Sequence, residues 1–182
     1  LLYVHQPFGD FVGAWKDMEK AVKMGKVRAL GISNFDANDE VWNTIMDSAT
    51  IKPAVLQIEC HPYAQRLEMR KKAAKEGIQV ECWFPLGGAM SNGALFKDPV
   101  IRKIAEAHGK SPAQIILRWH IQEGFSVIPG ATNPDYIKEN IQIFDFALTD
   151  EEMQQMRSLN KEQRFFTMPE EGVRRMVREN NL

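Results

Sequence analysis

Short apolar runs recur along the chain, and each is bounded by turn residues and followed by a helical pattern. The runs predict strands over residues 1–5, 27–33, 54–59, 79–84 and 125–128. The first four end at regular intervals that suit a strand, a loop, a helix and a return loop. The last interval is longer, and the glycine-rich residues 87–93 supply an extra loop that could cover a ligand. The pattern therefore predicts repeated βα units.

Helix boundaries are readable between the strands. Residues 11–22 repeat apolar side chains at helical spacing, which gives one buried stripe. Ser111 before Pro112 predicts a hydroxyl-capped helix start. Thr149 and Glu152 form the pattern of a capping box. Residues 161–182 are richly charged and predict a solvated tail or helix, so we divide the chain into a core at 1–160 and a tail at 161–182.

Apolar strands that alternate with amphipathic helices require a parallel sheet covered by helices, as a doubly wound sheet or a barrel. A doubly wound nucleotide fold normally carries Gly-x-Gly-x-x-Gly or a P-loop, and neither occurs here. We therefore predict the α/β class and a (β/α)8 TIM barrel represented by about five βα units. Complete barrels run to about 250 residues. Because residues 1–4 read as the middle of a strand, we expect the chain to be a piece of a longer one.

The composition is that of an ordinary globular protein, with 44% hydrophobic and 26% charged residues among 182. The formal net charge is −1 and the basic residues are dispersed, which argues against nucleic-acid and anionic-membrane partners. Apolar runs fall short of the ~18 residues that a membrane span needs. Cys60 and Cys82 show no ligand-like spacing and predict reduced thiols in a cytoplasmic protein. A small molecule or another protein is the expected partner.

Polar residues at the carboxyl ends of the predicted strands are the candidates for chemistry, because ligands of parallel α/β folds bind there. These ends offer His5, Ser33, Asn34, Gln57 and Trp83. One imidazole, one hydroxyl, two carboxamides and a large aromatic ring suit a flat polar heterocycle, with the amides on its edge and the ring on its face.

The other histidines favour structural roles. His61 lies in a Pro-containing loop, His120 follows a tryptophan within a helix, and His108 precedes a glycine at a helix end, where the dipole favours it. His5 and His61 lack a third ligand at a suitable spacing, so we predict no metal site. His5 alone lies directly at a strand terminus and is the histidine that we expect to function.

Ordered motifs across nearly the whole chain resemble the aldo-keto reductase family. They comprise Leu-Tyr-Val-His-Gln-Pro at residues 2–7, Gly-Lys-Val-Arg-Ala-Leu-Gly-Ile-Ser-Asn-Phe at 25–35, Gln-Ile-Glu-Cys-His-Pro at 57–62, Pro-Leu-Gly at 85–87, Ile-Pro at 128–129, Glu-Asn at 139–140 and Phe-Asp-Phe at 144–146. The resemblance implies a (β/α)8 barrel that reduces aldehydes, ketones or keto-sugars with NADPH or NADH. It assigns these segments to strands four to eight and makes residues 1–160 a partial, NAD(P)-binding barrel.

By that resemblance, His5 is the active-site histidine that orients the substrate carbonyl. The other implied roles concern the cofactor. They place Ser33, Asn34 and Gln57 on the nicotinamide carboxamide, Trp83 on its ring, Leu86 and Gly87 along the pyrophosphate, and Glu139 and Asn140 near the adenine. Trp83 stands where the family commonly has tyrosine. The segment 164–167 is expected to cross the barrel mouth or follow its rim and to help select substrates.

Two departures from the family pattern matter. The family's proton-donating tyrosine, with its lysine and aspartate, belongs to strands one to three, and Tyr3 and Tyr63 do not replace it. The 182 residues alone are therefore expected to reduce carbonyls poorly or not at all. Where NADP-preferring members have Lys-Ser and later an arginine, this chain has Gly130, Ala131 and Tyr136.

Loss of two cationic contacts to the 2′-phosphate costs about 1.5–3 kcal/mol for each charge-assisted hydrogen bond. We therefore predict a weakened preference for NADPH and usable NADH, unless Lys138 or Thr132 compensates.

Two alternatives to a conventional reductase remain open from the sequence. One is a catalytically incomplete barrel that binds a dinucleotide without turnover, and the other is a protein-interaction module built on the barrel fold. Five barrel strands without three partners expose two sheet edges, so the isolated chain is also expected to dimerise or aggregate. The substrate itself is not readable from these residues.

Overall fold

The computed structural model describes residues 1–179. Within them, five parallel strands form a single sheet: β1 (Leu2–Val4), β2 (Leu30–Ser33), β3 (Val55–Glu59), β4 (Gln79–Trp83) and β5 (Ser126–Val127). Each strand lies inside one of the five predicted apolar runs and is slightly shorter than it. The predicted strands are therefore confirmed.

The order of the strands decides between the two parallel architectures. It runs β1-β2-β3-β4-β5, with every neighbouring pair parallel, so the sheet follows the chain without reversal. A doubly wound sheet reverses its order at a switch point, whereas a barrel does not. The predicted barrel type is confirmed, with five consecutive βα units present.

Helices connect and flank the strands. They are α1 (Phe11–Lys23), α2 (Asp39–Ser48), α3 (Leu67–Lys75), α4 (Ala94–Lys97), α5 (Pro99–His108), α6 (Pro112–Gln122), α7 (Pro134–Ile141), α8 (Asp150–Ser158) and α9 (Glu170–Glu179). The glycine-rich loop after β4 holds a 3₁₀ turn at Ala89–Ser91 before α4 begins.

Both predicted helix starts are confirmed by side-chain capping. The Ser111 hydroxyl accepts a hydrogen bond from the backbone N–H of Gln114, and the Gln114 side-chain oxygen accepts one from the backbone N–H of Ser111. Pro112 is the first helical residue. Thr149 and Glu152 form the same reciprocal box at the start of α8. These bonds satisfy backbone donors that a helix start otherwise leaves free.

The alternation of side chains along the strands separates the core from the candidate site. In β3, Leu56 and Ile58 are fully buried in the hydrophobic core, whereas Gln57 and Glu59 point to the opposite face. The apolar face packs against helices, with Trp119 of α6 in the same core. The polar face of the sheet is therefore the face that carries the predicted functional residues.

Within the predicted tail, helix α9 spans Glu170–Glu179, where most residues are exposed and Val173 is buried. The remainder of the predicted tail, residues 180–182, lies outside the described residues. The boundary at residue 160 stays a prediction. No helix within residues 1–179 has both the length and the apolar character required to cross a membrane.

Candidate active site

A cavity of about 800 Å³ opens at the carboxyl ends of the strands. Of the predicted site residues, it brings together His5, Asn34, Gln57 and Trp83, which come from four different strand ends. Its other walls include residues from α1, α2, the segment before α9, and α9 itself. A cavity of this size matches the range of about 300–1,000 Å³ of small-molecule sites.

Left-handed backbone turns shape the rim of this cavity. Asn34 directly follows β2 with φ 61°, and Phe84 directly follows β4 with φ 54°. Asparagine adopts this region comparatively easily, whereas an aromatic residue rarely does. Phe84 nevertheless packs edge-on against Trp83, with ring centroids 4.9 Å apart. The chain therefore turns sharply just beyond the residues that line the cavity.

Hydrogen bonds connect the predicted site residues in one network. The Trp83 indole N–H donates to Asn34 Oδ1 at 3.1 Å, and Asn34 Nδ2 donates to Ser33 Oγ at 3.1 Å and to the His5 carbonyl at 3.3 Å. Ser33 Oγ donates to Gln57 Oε1 at 3.4 Å. The side chains are thus oriented by one another before any ligand arrives.

Glu81 extends this network and was not predicted from the sequence. Its Oε1 accepts hydrogen bonds from Gln57 Nε2 and from the Tyr3 hydroxyl, both at 2.8 Å. Its Oε2 accepts one from Ser126 Oγ at 3.0 Å. The signal that could have found it is the alternation in β4, which puts Glu81 on the same face as Trp83 and in register with Gln57.

The network leaves a defined set of hydrogen-bonding positions unused. Both N–H groups of Asn34 are engaged, but its Oδ1 retains one lone pair. Gln57 Oε1 accepts a hydrogen bond from Ser33 and retains one lone pair, while its amide group interacts with Glu81 and Tyr3. Free acceptor positions on two neighbouring strands can receive the N–H groups of a primary carboxamide.

Neither tyrosine that the sequence analysis weighed is suited to give up a proton near neutral pH. Burial and the hydrogen bond to Glu81 raise the pKa of Tyr3 far above its ordinary value of 10.0. Burial and a 2.7 Å hydrogen bond to Asp98 raise the pKa of Tyr63 to about 12. That neither tyrosine acts as the proton donor stays a prediction.

The remaining predicted cofactor residues lie outside the cavity lining. Ser33 is buried behind Asn34 and reaches the site through its hydroxyl. Leu86 and Gly87 belong to the loop after β4, whereas Glu139 and Asn140 lie half-buried in α7. A Cβ on Gly87, whose φ is +79°, would meet the Ser91 side chain at 2.8 Å. Their roles toward pyrophosphate and adenine stay predictions.

The histidines other than His5 occupy structural positions. His61 is fully buried and contacts Glu59 at 3.2 Å through Nε2. His108 ends α5 and contacts Glu152 at 2.9 Å. The ring nitrogens of His120 lie 2.8 Å and 3.1 Å from the carbonyl oxygens of Ile116 and Cys60.

Tertiary structure brings together a thiol pair that sequence spacing concealed. Donor atoms of Cys60, Cys82 and His120 all lie within 4.8 Å of one another in the buried core. Because both ring nitrogens of His120 already contact carbonyl oxygens, we assign no metal to this cluster. The hydrogen bond from Cys82 lowers the pKa of the Cys60 thiol, while burial raises the pKa of Cys82.

Comparison with known proteins adds the family to this geometry. The aldo/keto reductase family model matches residues 1–161, which is most of the chain. The chain belongs to the aldo/keto reductase family. The resemblance inferred from its motifs is therefore confirmed.

Individual relatives agree. The chain is 42% identical over 164 residues to aldo-keto reductase family 1 member A1 of Gallus gallus, covering 87% of this chain and 50% of that protein. It is 41% identical over 165 residues to a 9,11-endoperoxide prostaglandin H2 reductase of Trypanosoma cruzi, covering 90% of this chain and 57% of that protein. The chain thus spans about half the length of the curated relatives that it matches.

Solved structures agree with the fold. A mutant of Gox0644 in complex with NADPH superposes with a TM-score of 0.81 at 36% identity, covering 94% of this chain and 59% of that one. MGS-M4, an aldo-keto reductase from a deep-sea metagenome library, gives a TM-score of 0.83 at 32% identity, covering 92% and 64%.

Proposed function

We propose that the protein containing this chain is a reductase that transfers hydride from NADPH or NADH to a small aldehyde, ketone or keto-sugar. The observation that carries the proposal is the cavity that unites His5, Asn34, Gln57 and Trp83. The free lone pairs of Asn34 Oδ1 and Gln57 Oε1 offer acceptors for the N–H groups of a nicotinamide carboxamide. Family membership and the NADPH complex of Gox0644 support the same cofactor class.

The chain's own residues divide the work of binding and orientation. Trp83 offers its ring to the nicotinamide, while Asn34 and Gln57 hold the carboxamide and so select the face of the ring that meets the substrate. His5 is exposed within the cavity and donates a hydrogen bond to the substrate carbonyl oxygen, where negative charge develops. The nicotinamide supplies the hydride when it is bound. Neither Tyr3 nor Tyr63 is proposed to donate the proton that the reduced carbonyl oxygen requires.

A second candidate function is favoured by the raised pKa values of those tyrosines. The 182 residues by themselves then act as a dinucleotide-binding unit without turnover, because they contain the residues proposed to hold the cofactor and neither Tyr3 nor Tyr63 is tuned to donate a proton near pH 7. The two free cysteines support a reducing compartment such as the cytoplasm.

Titration of NADPH and NADH fluorescence tests both candidates. We expect the natural polypeptide that contains these residues to bind either cofactor and to oxidise it when an aldehyde is added. Gln57→Leu should weaken cofactor binding about tenfold, since it removes the free acceptor position of Oε1 and the hydrogen bond with Ser33. The matched variant Gln154→Leu, at an exposed position of α8, should change nothing.

The outcomes separate the candidates. Cofactor binding with turnover supports the reductase, and His5→Gln should then lower turnover while leaving the dissociation constant of NADPH nearly unchanged. Binding without turnover by the complete polypeptide would support the binding unit instead. An absence of dinucleotide binding would contradict both.

A further inference from the structure

The segment between α8 and α9, residues 161–168, crosses the polar side of the site and is here called the C-terminal strap. It begins where the backbone N–H groups of Lys161 and Gln163 both donate to the Tyr63 carbonyl at 3.0 Å. Farther along, Arg164 and Phe166 line the cavity. The prediction that residues 164–167 lie at the barrel mouth is supported by this path.

One buried carboxylate holds the middle of the strap. Glu59, the last residue of β3, is fully buried, and its Oε1 accepts from the backbone N–H of Phe165 at 2.7 Å and of Phe166 at 3.1 Å. Its Oε2 accepts from Arg164 Nε at 2.7 Å. Two consecutive backbone donors and a guanidinium therefore converge on a single side chain.

The charge of Glu59 is stabilised by this arrangement. Burial alone would raise the pKa of Glu59, but hydrogen bonds from His61, Arg164 and the Phe166 backbone lower it to about 2. Glu59 is therefore ionised at neutral pH, which makes its hydrogen bonds to the strap charge-assisted and strong.

The anchored strap places its aromatic rings against the site. Phe166 packs edge-on against Trp83, with ring centroids 5.5 Å apart at 81°, and lines the cavity beside His5. Phe165 turns the other way and stacks on His61 at 4.5 Å and 28°. Because the Phe165 and Phe166 N–H groups share one acceptor, Glu59 fixes the backbone that carries both rings.

Arg164 works as a clamp in this arrangement. Its guanidinium faces Glu59 at 2.7 Å and Asp36 at 3.9 Å, and Asp36 is also paired with Arg66. Two carboxylates therefore balance its charge, which argues against a role in attracting an anionic substrate. Its contacts hold the strap to β3 and to the residues after β2.

We propose that Glu59 is a positioning residue for substrate binding, because it fastens the C-terminal strap so that Phe166 forms the part of the cavity wall beside Trp83. The inference rests on the proposed function, in which Trp83 and His5 face the reacting groups. Glu59 itself does not line the cavity. It acts through Phe166, whereas the cofactor-directed side chains Asn34 and Gln57 are held by a separate network.

The test compares Glu59→Gln, Phe166→Ala and the double variant in the natural polypeptide, with 4-nitrobenzaldehyde as substrate. Glutamine keeps the shape of Glu59 but offers one acceptor oxygen in place of two. We expect each single variant to raise KM about tenfold and to change the NADPH dissociation constant less than about twofold. The double variant should resemble the single ones, since both remove the same wall.

Two further variants serve as controls. Glu106→Gln, at an exposed position of α5, should leave KM and cofactor binding unchanged. Arg164→Met removes one donor at a partly exposed site and should raise KM with little loss of thermal stability. If Glu59→Gln does not fold, Arg164→Met tests whether the strap shapes the substrate site.

Several results would overturn the inference. An unchanged KM in folded Glu59→Gln, or in Arg164→Met when Glu59→Gln does not fold, would show that the strap does not shape the substrate site. Multiplying effects of Glu59→Gln and Phe166→Ala would show that Glu59 does not act through Phe166. If the unsubstituted polypeptide does not bind NADPH, the proposed function is overturned together with the inference. The first two results, by contrast, leave NADPH binding intact.

Discussion

Trp83 and Asn34 are joined by a hydrogen bond of 3.1 Å, in which the indole N–H donates to the carboxamide oxygen. A tyrosine at this position, which the family resemblance implies is common, lacks that N–H. The bond fixes which end of the Asn34 amide faces Trp83 and leaves the second lone pair of Oδ1 for a ligand. Trp83 thus orients Asn34 as well as providing an aromatic ring.

Removing only the indole nitrogen should therefore weaken cofactor binding. Trp83→Phe keeps an aromatic ring but loses the N–H, and we expect an NADPH dissociation constant about fivefold higher, as for one hydrogen bond of about 1 kcal/mol. Trp83→Ala should cost about tenfold more, since it also removes the stacking surface. Fluorescence titration of the three proteins measures this. Equal affinities of Trp83→Phe and the unsubstituted protein would contradict a role for the N–H.

Stability in acid should depend on Glu59. Its pKa is lowered in the folded chain from 4.5 to about 2, so its contribution is full above pH 4.5 and is lost as the pH falls toward 2. We expect Glu59→Gln to be about 2–3 kcal/mol less stable than the unsubstituted chain at pH 6. The difference should shrink by pH 3. Urea denaturation at both pH values measures it, and a constant difference would refute the assignment.

A charged side chain introduced just after β5 should change the preference between NADPH and NADH. Gly130 is exposed, with no atom within 4 Å of the place that a Cβ would take and no positive φ, so a side chain fits there. If the 2′-phosphate lies at this position, as the family resemblance implies, Gly130→Lys should raise the NADPH-to-NADH affinity ratio about tenfold. Gly130→Ala, which adds no charge, is the matched control. A ratio unchanged by lysine would place the phosphate elsewhere.

The two cysteines should remain thiols under oxidising conditions. Cys82 pairs with Ile58 across the strands, and Cys60 lies two residues farther along. Strand spacings of about 4.8 Å and 3.3 Å per residue put their Cα atoms about 8 Å apart, beyond the ~7 Å limit for a disulfide. Thiol titration in denaturant after treatment of the native chain with diamide should find both free. Recovery of a disulfide-linked peptide would show that the backbone moves.

The 182-residue chain expressed alone should associate. Within residues 1–179, β1 pairs only with β2 and β5 only with β4, and Leu2 and Ile128 are 41% and 44% exposed at these edges. We expect Leu2→Lys to shift the chain toward monomer in sedimentation velocity. Leu67→Lys, which changes a leucine of similar 43% exposure on α3, should not. A monomeric unsubstituted chain would contradict the prediction.

Much of the fold was predictable because its signals are local. Apolar runs and turn residues marked all five strands, and Thr149 and Glu152 marked a helix start through bonds between residues three positions apart. His5, Asn34 and Trp83 were predicted as site residues because strand ends in parallel folds converge on one edge.

What the sequence by itself determined is the repeating unit, the strand ends and the family. Tertiary structure alone decided the contacts between residues that are distant along the chain. Glu81 joins Tyr3, Gln57 and Ser126 because neighbouring strands present them to one face, and Glu59 meets the strap across more than a hundred residues. Local patterns report the periodicity of one element, whereas the pairing of a buried carboxylate with its donors depends on how all the elements pack.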